Sequence, residues 1–388
     1  MKILHTADWH LGKLVQSVYM TADQRHILNQ FIEHVDIEKP DAIIIAGDLY
    51  DRSIPPTDAI QLLDDTLQKI VIERGIPVLA IAGNHDSASR IDFATSLMTQ
   101  SGLYMVGKWT PDSEPVCLQD DEGEVYFWLI PFMDPSEVRY VLNDDSIRTH
   151  QQAMEAIMAS ITPKMKADAR HVFVGHAFVT KGGVEEEKDS EGERPLAIGG
   201  SECIDAALFD AFDYAAFGHL HGAHFVGKET IRYAGSPLKY SISEEHHKKG
   251  YLVVELSTEQ ATITKKELQP LRDMRRIKAY MADILASEPS DDYVFVTLLD
   301  EQPILSPMEK IRGIYKNAMH VERQTIVHVN DKQQTTSRRQ MDDVALFKAF
   351  YAEMLPGDIP DDTLSLFNEL LAEQLQNERE GGNYECNR

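Results

Sequence analysis

The chain has 388 residues, of which 43% are hydrophobic and 26% charged, and it carries a formal net charge of −25 at pH 7. This length predicts two domains, with room for a terminal appendage. No apolar stretch approaches the roughly 18–20 residues that span a bilayer, and the N-terminus leaves no room for a signal peptide. Three scattered cysteines exclude a disulfide framework and a thiolate zinc site. We therefore expect a cytoplasmic protein.

The acidic balance also bears on nucleic-acid binding. A protein that binds DNA without a partner usually has a basic surface, and this composition argues against a basic surface here. If the chain acts on nucleic acid, its affinity must come from bound metals, from a local basic patch or from a partner. An acidic surface that only keeps the protein soluble is the alternative.

Strand and helix patterns alternate from the N-terminus to about Pro270. Helical spacing of apolar residues predicts helices over 22–38, 57–74 and about 150–161. Apolar runs predict buried strands over 2–7, 41–46, 77–82, 125–131, 171–174 and 214–217, with further strands over 231–240 and 250–256. This alternation predicts a layered α/β fold.

The sequence divides into three predicted regions. Residues 1–270 form the first domain, with a charged surface loop over 185–194. Residues 271–340 form a small α/β unit, and residues 341–388 carry two amphipathic helices and a disordered tail from Gly381. The small unit is expected to contain strands over 274–280, 293–299 and 325–329, a helix around 307–318 and a linker over 333–339. The apolar faces of the terminal helices either pack back on the body or dock on a partner helix.

Five polar clusters each follow an apolar run between the N-terminus and His221. Functional groups of open α/β sheets gather outside the carboxyl ends of the strands, so we expect these clusters to converge. The clusters are Asp8-Trp9-His10, Gly47-Asp48-Leu49-Tyr50-Asp51-Arg52, Gly83-Asn84-His85-Asp86, Gly175-His176 and Gly218-His219-Leu220-His221.

These side chains form a ligand set for two divalent metals. We expect Asp48 to bridge the two ions, since a carboxylate oxygen can bind two cations. The first metal would take Asp8, His10, Asp48 and His221, and the second Asp48, Asn84, His176 and His219. Mixed imidazole and oxygen ligands favour Mn²⁺, Fe²⁺ or Zn²⁺ over Mg²⁺. Two such ions, about 3.5–4 Å apart, activate a shared water and hydrolyse phosphate esters.

Other residues near the motifs have expected roles in this chemistry. His85 is expected to protonate the leaving oxygen or to stabilise charge on the phosphate. Asp51 would hydrogen-bond His85 and hold its tautomer. Lys13, Arg52 and Arg90 are candidates for phosphate contacts, with ordinary surface charges as the alternative.

The ordered motifs resemble those of the calcineurin-like metallophosphoesterase superfamily. More narrowly, the segments KILHTADWHLGK, AGDLYDRSIPP, IAGNHDSASR and YAGSPLKYS resemble the bacterial SbcD nucleases, the nuclease subunits of the SbcC–SbcD DNA-repair complex. The similarity is dense up to about Pro270 and looser beyond it.

The resemblance implies a fold and an activity. The fold would be a four-layer α/β/β/α metallophosphoesterase sandwich with a second, smaller α/β capping domain and C-terminal helices. The activity would be ATP-dependent exonuclease action on double-stranded DNA and endonuclease action on single strands and hairpins, in repair and recombination. The resemblance implies Asp8, His10, Asp48, Asn84, His176, His219 and His221 as metal ligands, His85 as catalytic and Mn²⁺ as the metal.

The resemblance also implies partners. The capping domain, residues 271–340, would help to recognise DNA. The terminal helices would bind the SbcC ATPase. This partner would supply much of the affinity for DNA and would hydrolyse the ATP. The nuclease domain would form a homodimer, and the complex would be cytoplasmic and associated with the nucleoid.

Two alternative functions remain open from the sequence. The same core can serve another phosphoesterase, acting on phosphoproteins, cyclic nucleotides or nucleotide pyrophosphates. The region after Pro270 speaks against a minimal enzyme for small molecules. A non-catalytic assembly subunit with a decayed site is the second alternative, and the intact ligand set argues against it.

Overall fold

The computed structural model describes residues 1–183, 203–324, 343–354 and 359–381. The strands, in chain order, are β1 (Lys2–Thr6), β2 (Leu14–Val15), β3 (Val18–Tyr19), β4 (Ala42–Ile45), β5 (Val78–Ile81), β6 (Leu103–Val106), β7 (Val116–Asp120), β8 (Gly123–Ile130), β9 (Arg170–His176), β10 (Val179–Thr180), β11 (Ile204–Asp205), β12 (Tyr214–Gly218), β13 (His224–Val226), β14 (Lys228–Tyr233), β15 (Gly250–Leu256), β16 (Ala261–Glu267), β17 (Met274–Ala279), β18 (Tyr293–Leu298) and β19 (Ala318–Arg323).

The α-helices of the described residues are α1 (Thr21–Glu38), α2 (Thr57–Leu67), α3 (Ala88–Ile91), α4 (Thr95–Met98), α5 (Pro135–Leu142), α6 (His150–Ile161), α7 (Met281–Leu285), α8 (Pro307–Arg312), α9 (Asp343–Met354) and α10 (Asp361–Gly381). A π-helical turn over Gln68–Ile72 continues α2. Among these helices, none combines the length and the apolar character needed to cross a membrane.

Two six-stranded sheets organise the chain from β1 to β16. The first has the order β16-β15-β1-β4-β5-β6, and the second β13-β14-β12-β9-β8-β7. In the first sheet β1, β4, β5 and β6 run parallel, and β15 and β16 are antiparallel additions at one edge. In the second sheet β8, β9, β12 and β14 run parallel, and β7 and β13 are antiparallel at the two edges. Each sheet therefore has a parallel centre.

Alternating side chains of the buried strands divide between two apolar layers, because successive residues of a strand point to opposite faces. On β4, Ile44 lies in a core between the two sheets together with Phe127 and Val174 of the second sheet. Its neighbours Ile43 and Ile45 lie in a core with the helices α1 and α2. A third core joins the outer face of the second sheet to α5 and α6. The four-layer α/β/β/α arrangement is confirmed.

The helix α1 illustrates how the sequence dictates these layers. Its apolar residues recur at helical spacing and are buried, namely Ile27, Leu28, Phe31, Ile32 and Val35. The helix ends where Lys39 adopts a left-handed conformation (φ 48°), and its N–H donates to the carbonyl of Val35. Pro40 follows and cannot continue the helical hydrogen bonding. The predicted boundary at residue 38 is confirmed.

The chain divides into two compact units. The first contains Met1–Ile277, Ser287–Phe295 and Met308–His320, and the second Lys278–Ala286, Val296–Pro307 and Val321–Arg388. The strands β17, β18 and β19 form a three-stranded sheet with β18 in the centre. In the second unit, the rings of Phe347 on α9 and Phe367 on α10 stack with a centroid separation of 3.9 Å.

Some predicted elements differ from the structure. The expected strand over 231–240 ends at Tyr233, because Gly235 turns the chain in a left-handed conformation (φ 72°) into a loop. The expected helix over 307–318 ends at Arg312. The loop over 185–194, the strand over 325–329, the linker over 333–339 and the tail after Gly381 lie outside the described residues.

Candidate metal centre

The predicted ligands lie at one shared edge of the two sheets. In the first sheet Asp8, Asp48 and Asn84 come shortly after the carboxyl ends of the adjacent parallel strands β1, β4 and β5. In the second sheet His176 is the last residue of β9 and pairs in register with Gly218, the last residue of β12. His219 follows Gly218 directly. Parallel strands place their carboxyl ends together, which explains the convergence.

Four of these residues have left-handed backbones. The φ angles are 54° for Asp8, 45° for His10, 52° for Asp48 and 104° for His219. Such conformations are unfavourable for residues other than glycine and concentrate at functional sites. Main-chain bonds hold the turn in place: Asp8 N donates to Gly47 O at 3.1 Å, and His10 N donates to Asp48 O at 2.9 Å.

Two glycines allow the motif loops to approach closely. A Cβ at Gly83 would lie 2.1 Å from Asp48 Oδ1, and a Cβ at Gly47 would lie 2.2 Å from His176 Nδ1. Both distances are far shorter than any contact between non-bonded atoms, so any other residue would displace the neighbouring ligand candidate. The glycines in these motifs are therefore needed for space.

Asp48 occupies the centre of the cluster. Its Oδ2 lies 3.5 Å from His10 Nε2 and 3.4 Å from His176 Nε2. On one side, His10 Nε2 is 3.1 Å from His221 Nε2. Asp48 thus lies between two imidazoles, and its bridging of two ions stays a prediction.

The remaining candidates, Asn84 and Asp8, both lie beside His176 and His219. Asn84 Oδ1 lies 2.9 Å from His176 Nε2 and 3.2 Å from His219 Nδ1. Asp8 Oδ1 accepts a bond from His219 N at 2.9 Å and lies 3.9 Å from His176 Nδ1. All seven predicted ligand residues thus lie in one continuous cluster.

The electrostatics of the cluster fit divalent cations. The side chains of Asp8 and Asp48 are fully buried, and their Oδ2 atoms have no hydrogen-bond partner among the described residues. Burial of a charged group is costly, and it raises the pKa of Asp8 to about 7 although Oδ1 accepts a bond from His219 N. Burial acts to lower the pKa of His176, but the adjacent Asp48 and Asp8 outweigh it and raise this pKa to about 10. Oxygen and nitrogen donors of this kind suit divalent metals.

His85 lies beside this cluster with its ring held by the main chain. Its ring Nδ1 donates to the carbonyl of Asp51 at 2.9 Å, and its main-chain N–H donates to Asp48 Oδ1 at 2.9 Å. Its ring packs edge-on against that of His10, with centroids 4.8 Å apart. Asp51 therefore contacts His85 as expected, but this bond uses the main-chain oxygen. The Asp51 carboxylate accepts from Lys13 Nζ at 2.7 Å and lies 3.6 Å from His10 Nδ1.

Asp86, which had no predicted role, ties two motif loops together. Its Oδ2 accepts from Leu49 N at 3.0 Å and from Gly83 N at 2.9 Å, and its Oδ1 accepts from Tyr50 N at 2.9 Å. Burial raises the pKa of Asp86 to about 6. The signal was present, because Asp86 belongs to the cluster Gly83-Asn84-His85-Asp86.

Gln24 and Tyr240 also support the site and were not predicted. The side-chain amide of Gln24 donates to His10 O at 2.8 Å and to Tyr240 Oη at 3.1 Å, and its oxygen accepts from Gly12 N at 3.0 Å. The hydroxyl of Tyr240 donates to Trp9 O. These partners are remote in sequence, so only the folded chain reveals them.

The candidate phosphate contacts differ in their surroundings. Lys13 is partly buried and is paired with Asp51. Arg52 and Arg90 are exposed.

Comparisons with known proteins agree with this geometry. The family model described as calcineurin-like phosphoesterase matches residues 1–223, and the one described as type 5 capsule protein repressor C-terminal domain matches residues 270–354. A relative from Staphylococcus saprophyticus, which is named as an SbcCD nuclease subunit, is 35% identical over 356 residues, which are 90% of this chain and 92% of that protein.

Two solved structures are also similar. A protein of Thermus thermophilus is 11% identical, with 68% of this chain and 98% of that chain covered and a TM-score of 0.39. A dimetal phosphatase from Danio rerio is 11% identical, with 70% and 98% covered and a TM-score of 0.39. Because both scores are below 0.5, the family assignment depends on the sequence matches.

The two packed sheets with a polar cluster at their shared edge, and the match over more than half of the chain, define a calcineurin-like phosphoesterase. Within that class, the chain belongs to the SbcD family of nuclease subunits. It is thus a metal-dependent phosphodiesterase. The resemblance recognised in the sequence is confirmed.

We expect Asp86→Ala to lower the free energy of unfolding by roughly 3 kcal/mol, because three main-chain N–H groups lose a charged acceptor. It should also weaken the binding of Mn²⁺, because the loops that carry Asp48 and Asn84 are no longer tied together. Urea unfolding and calorimetric titration with MnCl₂ measure the two effects.

Asp92→Ala is the matched control for this variant. Asp92 also accepts from two main-chain N–H groups, those of Gly107 at 2.6 Å and Lys108 at 3.3 Å, but outside the cluster. This control should lose stability and retain Mn²⁺ binding. Binding of Mn²⁺ by Asp86→Ala with the affinity of the unaltered chain would contradict the prediction.

Proposed function

We propose that this chain is the nuclease subunit of a complex with an SbcC-type ATPase. It would hydrolyse phosphodiester bonds of DNA as an ATP-dependent exonuclease on double-stranded ends and as an endonuclease on single strands and hairpins. These activities would serve DNA repair and recombination in the cytoplasm, at the nucleoid. The observation that carries the proposal is the convergence of five further donor residues on the buried carboxylates Asp8 and Asp48, namely His10, Asn84, His176, His219 and His221.

We propose the division of metal ligands that the sequence motifs predict. Asp8, His10 and His221 would hold one ion, Asn84, His176 and His219 the other, and Asp48 would bridge both. Mn²⁺ is the proposed metal, because imidazole and oxygen donors together suit it better than Mg²⁺. When bound, a pair of such ions supplies charge stabilisation and an activated water for phosphate-ester hydrolysis.

His85 would act on the leaving group. The bond from its Nδ1 to the carbonyl of Asp51 orients the ring and assigns proton exchange to Nε2. A positioned imidazole of this kind donates a proton to the departing oxygen or stabilises charge on the phosphate. Asp51 would position His85 through its main chain and His10 through its carboxylate.

The net charge of −25 is consistent with a partner that provides much of the DNA affinity. We propose that residues 271–340 form a capping domain that helps to recognise DNA, and that the helices α9 and α10 bind the ATPase. The exposed apolar side chains on these helices would contact the partner, namely Leu346, Phe350, Leu366 and Leu370. Helices with such faces commonly dock against a partner helix.

We also propose that the nuclease domain forms a homodimer. A largely apolar groove of about 710 Å³ lies along α2, α3 and α4, and Phe93 beside it is 78% exposed. The nearby Ile60, Ile72 and Leu97 are exposed as well. Contiguous exposed apolar surface marks a protein interface, and two copies would pair the same surface about a twofold axis.

The first test is cleavage of labelled single-stranded and hairpin DNA by the full chain with Mn²⁺. We expect cleavage that EDTA abolishes, because the phosphodiester chemistry depends on the bound ions. His85→Ala should lower the rate of cleavage by at least about 100-fold. The bound metal, measured by mass spectrometry, should be retained. A chain that hydrolyses only small phosphodiesters would favour the other phosphoesterases considered above.

The second test concerns the dimer. Phe93→Glu places a charge in the proposed interface and should convert a dimer into a monomer, as measured by light scattering after gel filtration. Tyr140→Glu is the control, because Tyr140 is 87% exposed on α5, away from the groove, and its change should leave the mass unaltered. A dimer that persists in Phe93→Glu, or an unaltered chain that is a monomer, would count against this interface.

The third test removes the terminal helices. Deletion of residues 342–388 should abolish co-purification with an SbcC-type ATPase and leave metal-dependent cleavage of single strands intact. Phe350→Glu should weaken the same capture, whereas Lys348→Glu, on the same helix, should not. Loss of the folded state on deletion would instead indicate that these helices pack against the body of the protein.

A further inference from the structure

His221 has a charged, fully buried acceptor behind its ring. Glu244 Oε1 lies 3.0 Å from His221 Nδ1, and Glu244 has no solvent exposure. The opposite ring nitrogen of His221, Nε2, lies 3.1 Å from His10 Nε2. Glu244 thus accepts a hydrogen bond from Nδ1 on the outer side of the ring. The other nitrogen, Nε2, faces the ligand cluster.

Two other imidazoles of the site, those of His176 and His85, use neutral acceptors in the same position, whereas His10 Nδ1 lies 3.6 Å from the carboxylate of Asp51. His176 Nδ1 donates to the carbonyl of Ala46, and His85 Nδ1 donates to the carbonyl of Asp51, each at 2.9 Å. Both carbonyls orient a ring and fix its tautomer. A carboxylate does this as well and, in addition, raises the basicity of the nitrogen that faces a metal.

Lys249 balances the charge of Glu244. Its Nζ forms an ion pair with Glu244 Oε2 and donates to His221 O and to Ser236 Oγ, both at 2.8 Å. Each oxygen of the Glu244 carboxylate thus has its own partner, His221 Nδ1 at Oε1 and Lys249 Nζ at Oε2. Lys249 also contacts the carbonyl of His221, but Ser236 N donates to the same carbonyl at 3.2 Å, so the loop keeps a main-chain bond there without Lys249.

We propose that Glu244 is a positioning residue of the metal centre, which acts through His221 to set the affinity for one of the two ions. Glu244 holds His221 with the proton on Nδ1 and Nε2 directed at the ion, while Lys249 prevents an uncompensated charge in the protein interior. This inference rests on the proposed function, since it takes His221 as a ligand. It adds a residue outside the five motifs, contributed by the turn at Ile242–Glu244.

A positioning role of Glu244 and a merely structural role predict different effects when the charge of Lys249 is removed. If Glu244 acts on the metal through His221, removal of the Lys249 charge destabilises the fold without weakening metal binding. If the ion pair only stabilises the loop, losses of stability and of metal affinity run in parallel. Lys249→Met is therefore the reference, and Glu244→Gln combined with Lys249→Met is the test variant, which leaves no buried charge unpaired.

The experiment titrates the metal-free full chain with MnCl₂ by calorimetry and records thermal unfolding of each variant without metal. Lys249→Met should bind two equivalents of Mn²⁺ with at least the affinity of the unaltered chain. The double variant should bind one of the two equivalents about 10- to 100-fold more weakly, at a similar melting temperature to Lys249→Met. Glu245→Gln is the matched control, because that adjacent carboxylate faces Arg276 instead of His221.

Two results would overturn the inference while the proposed function stands. The double variant binds both equivalents as tightly as Lys249→Met, or Lys249→Met loses affinity as strongly as the double variant. In either case the unaltered chain still binds two equivalents of Mn²⁺ and cleaves DNA. A chain that binds no Mn²⁺ and cleaves no DNA would overturn the proposed function together with this inference.

Discussion

The site depends on how closely the carboxyl edges of the two sheets approach each other. At the end of β12, a Cβ on Gly218 would lie 2.0 Å from the carbonyl of Ala46, which follows β4 in the other sheet. The apolar layer between the sheets, with Ile44 and Val174, fixes this distance along their length. His176 can reach Asp48 only because the two strand ends meet there. Close packing between the sheets is therefore a condition for the catalytic geometry.

The folded core also holds two carboxylates of the site in an unfavourable environment. It buries Asp8 and Asp48 with unpartnered oxygens and holds both residues in left-handed conformations. Each feature is unfavourable by itself and persists because the surrounding structure determines the backbone. Divalent cations would relieve the unfavourable burial of charge, so metal binding and folding are expected to be coupled.

Support for the ligands comes from a layer of side chains behind them. Asp86 holds the loops of Asp48 and Asn84, Gln24 holds the turn at His10, and Glu244 holds His221. Each of these supports satisfies main-chain or ring N–H donors or carbonyls that would otherwise be buried without partners. The geometry of the ligands therefore depends on polar contacts that do not involve any metal.

Local patterns in the sequence were enough to predict the layered α/β fold, the main strands and helices and the seven ligand candidates, because apolar periodicity and motif order are local properties of the chain. It did not predict the end of β14 at Tyr233, which depends on a left-handed turn at Gly235. It did not predict the bond from His85 to the main chain of Asp51 or the contacts of Gln24 and Glu244. These features are visible only in the folded chain, because such hydrogen bonds join segments that packing brings together and that no local pattern connects.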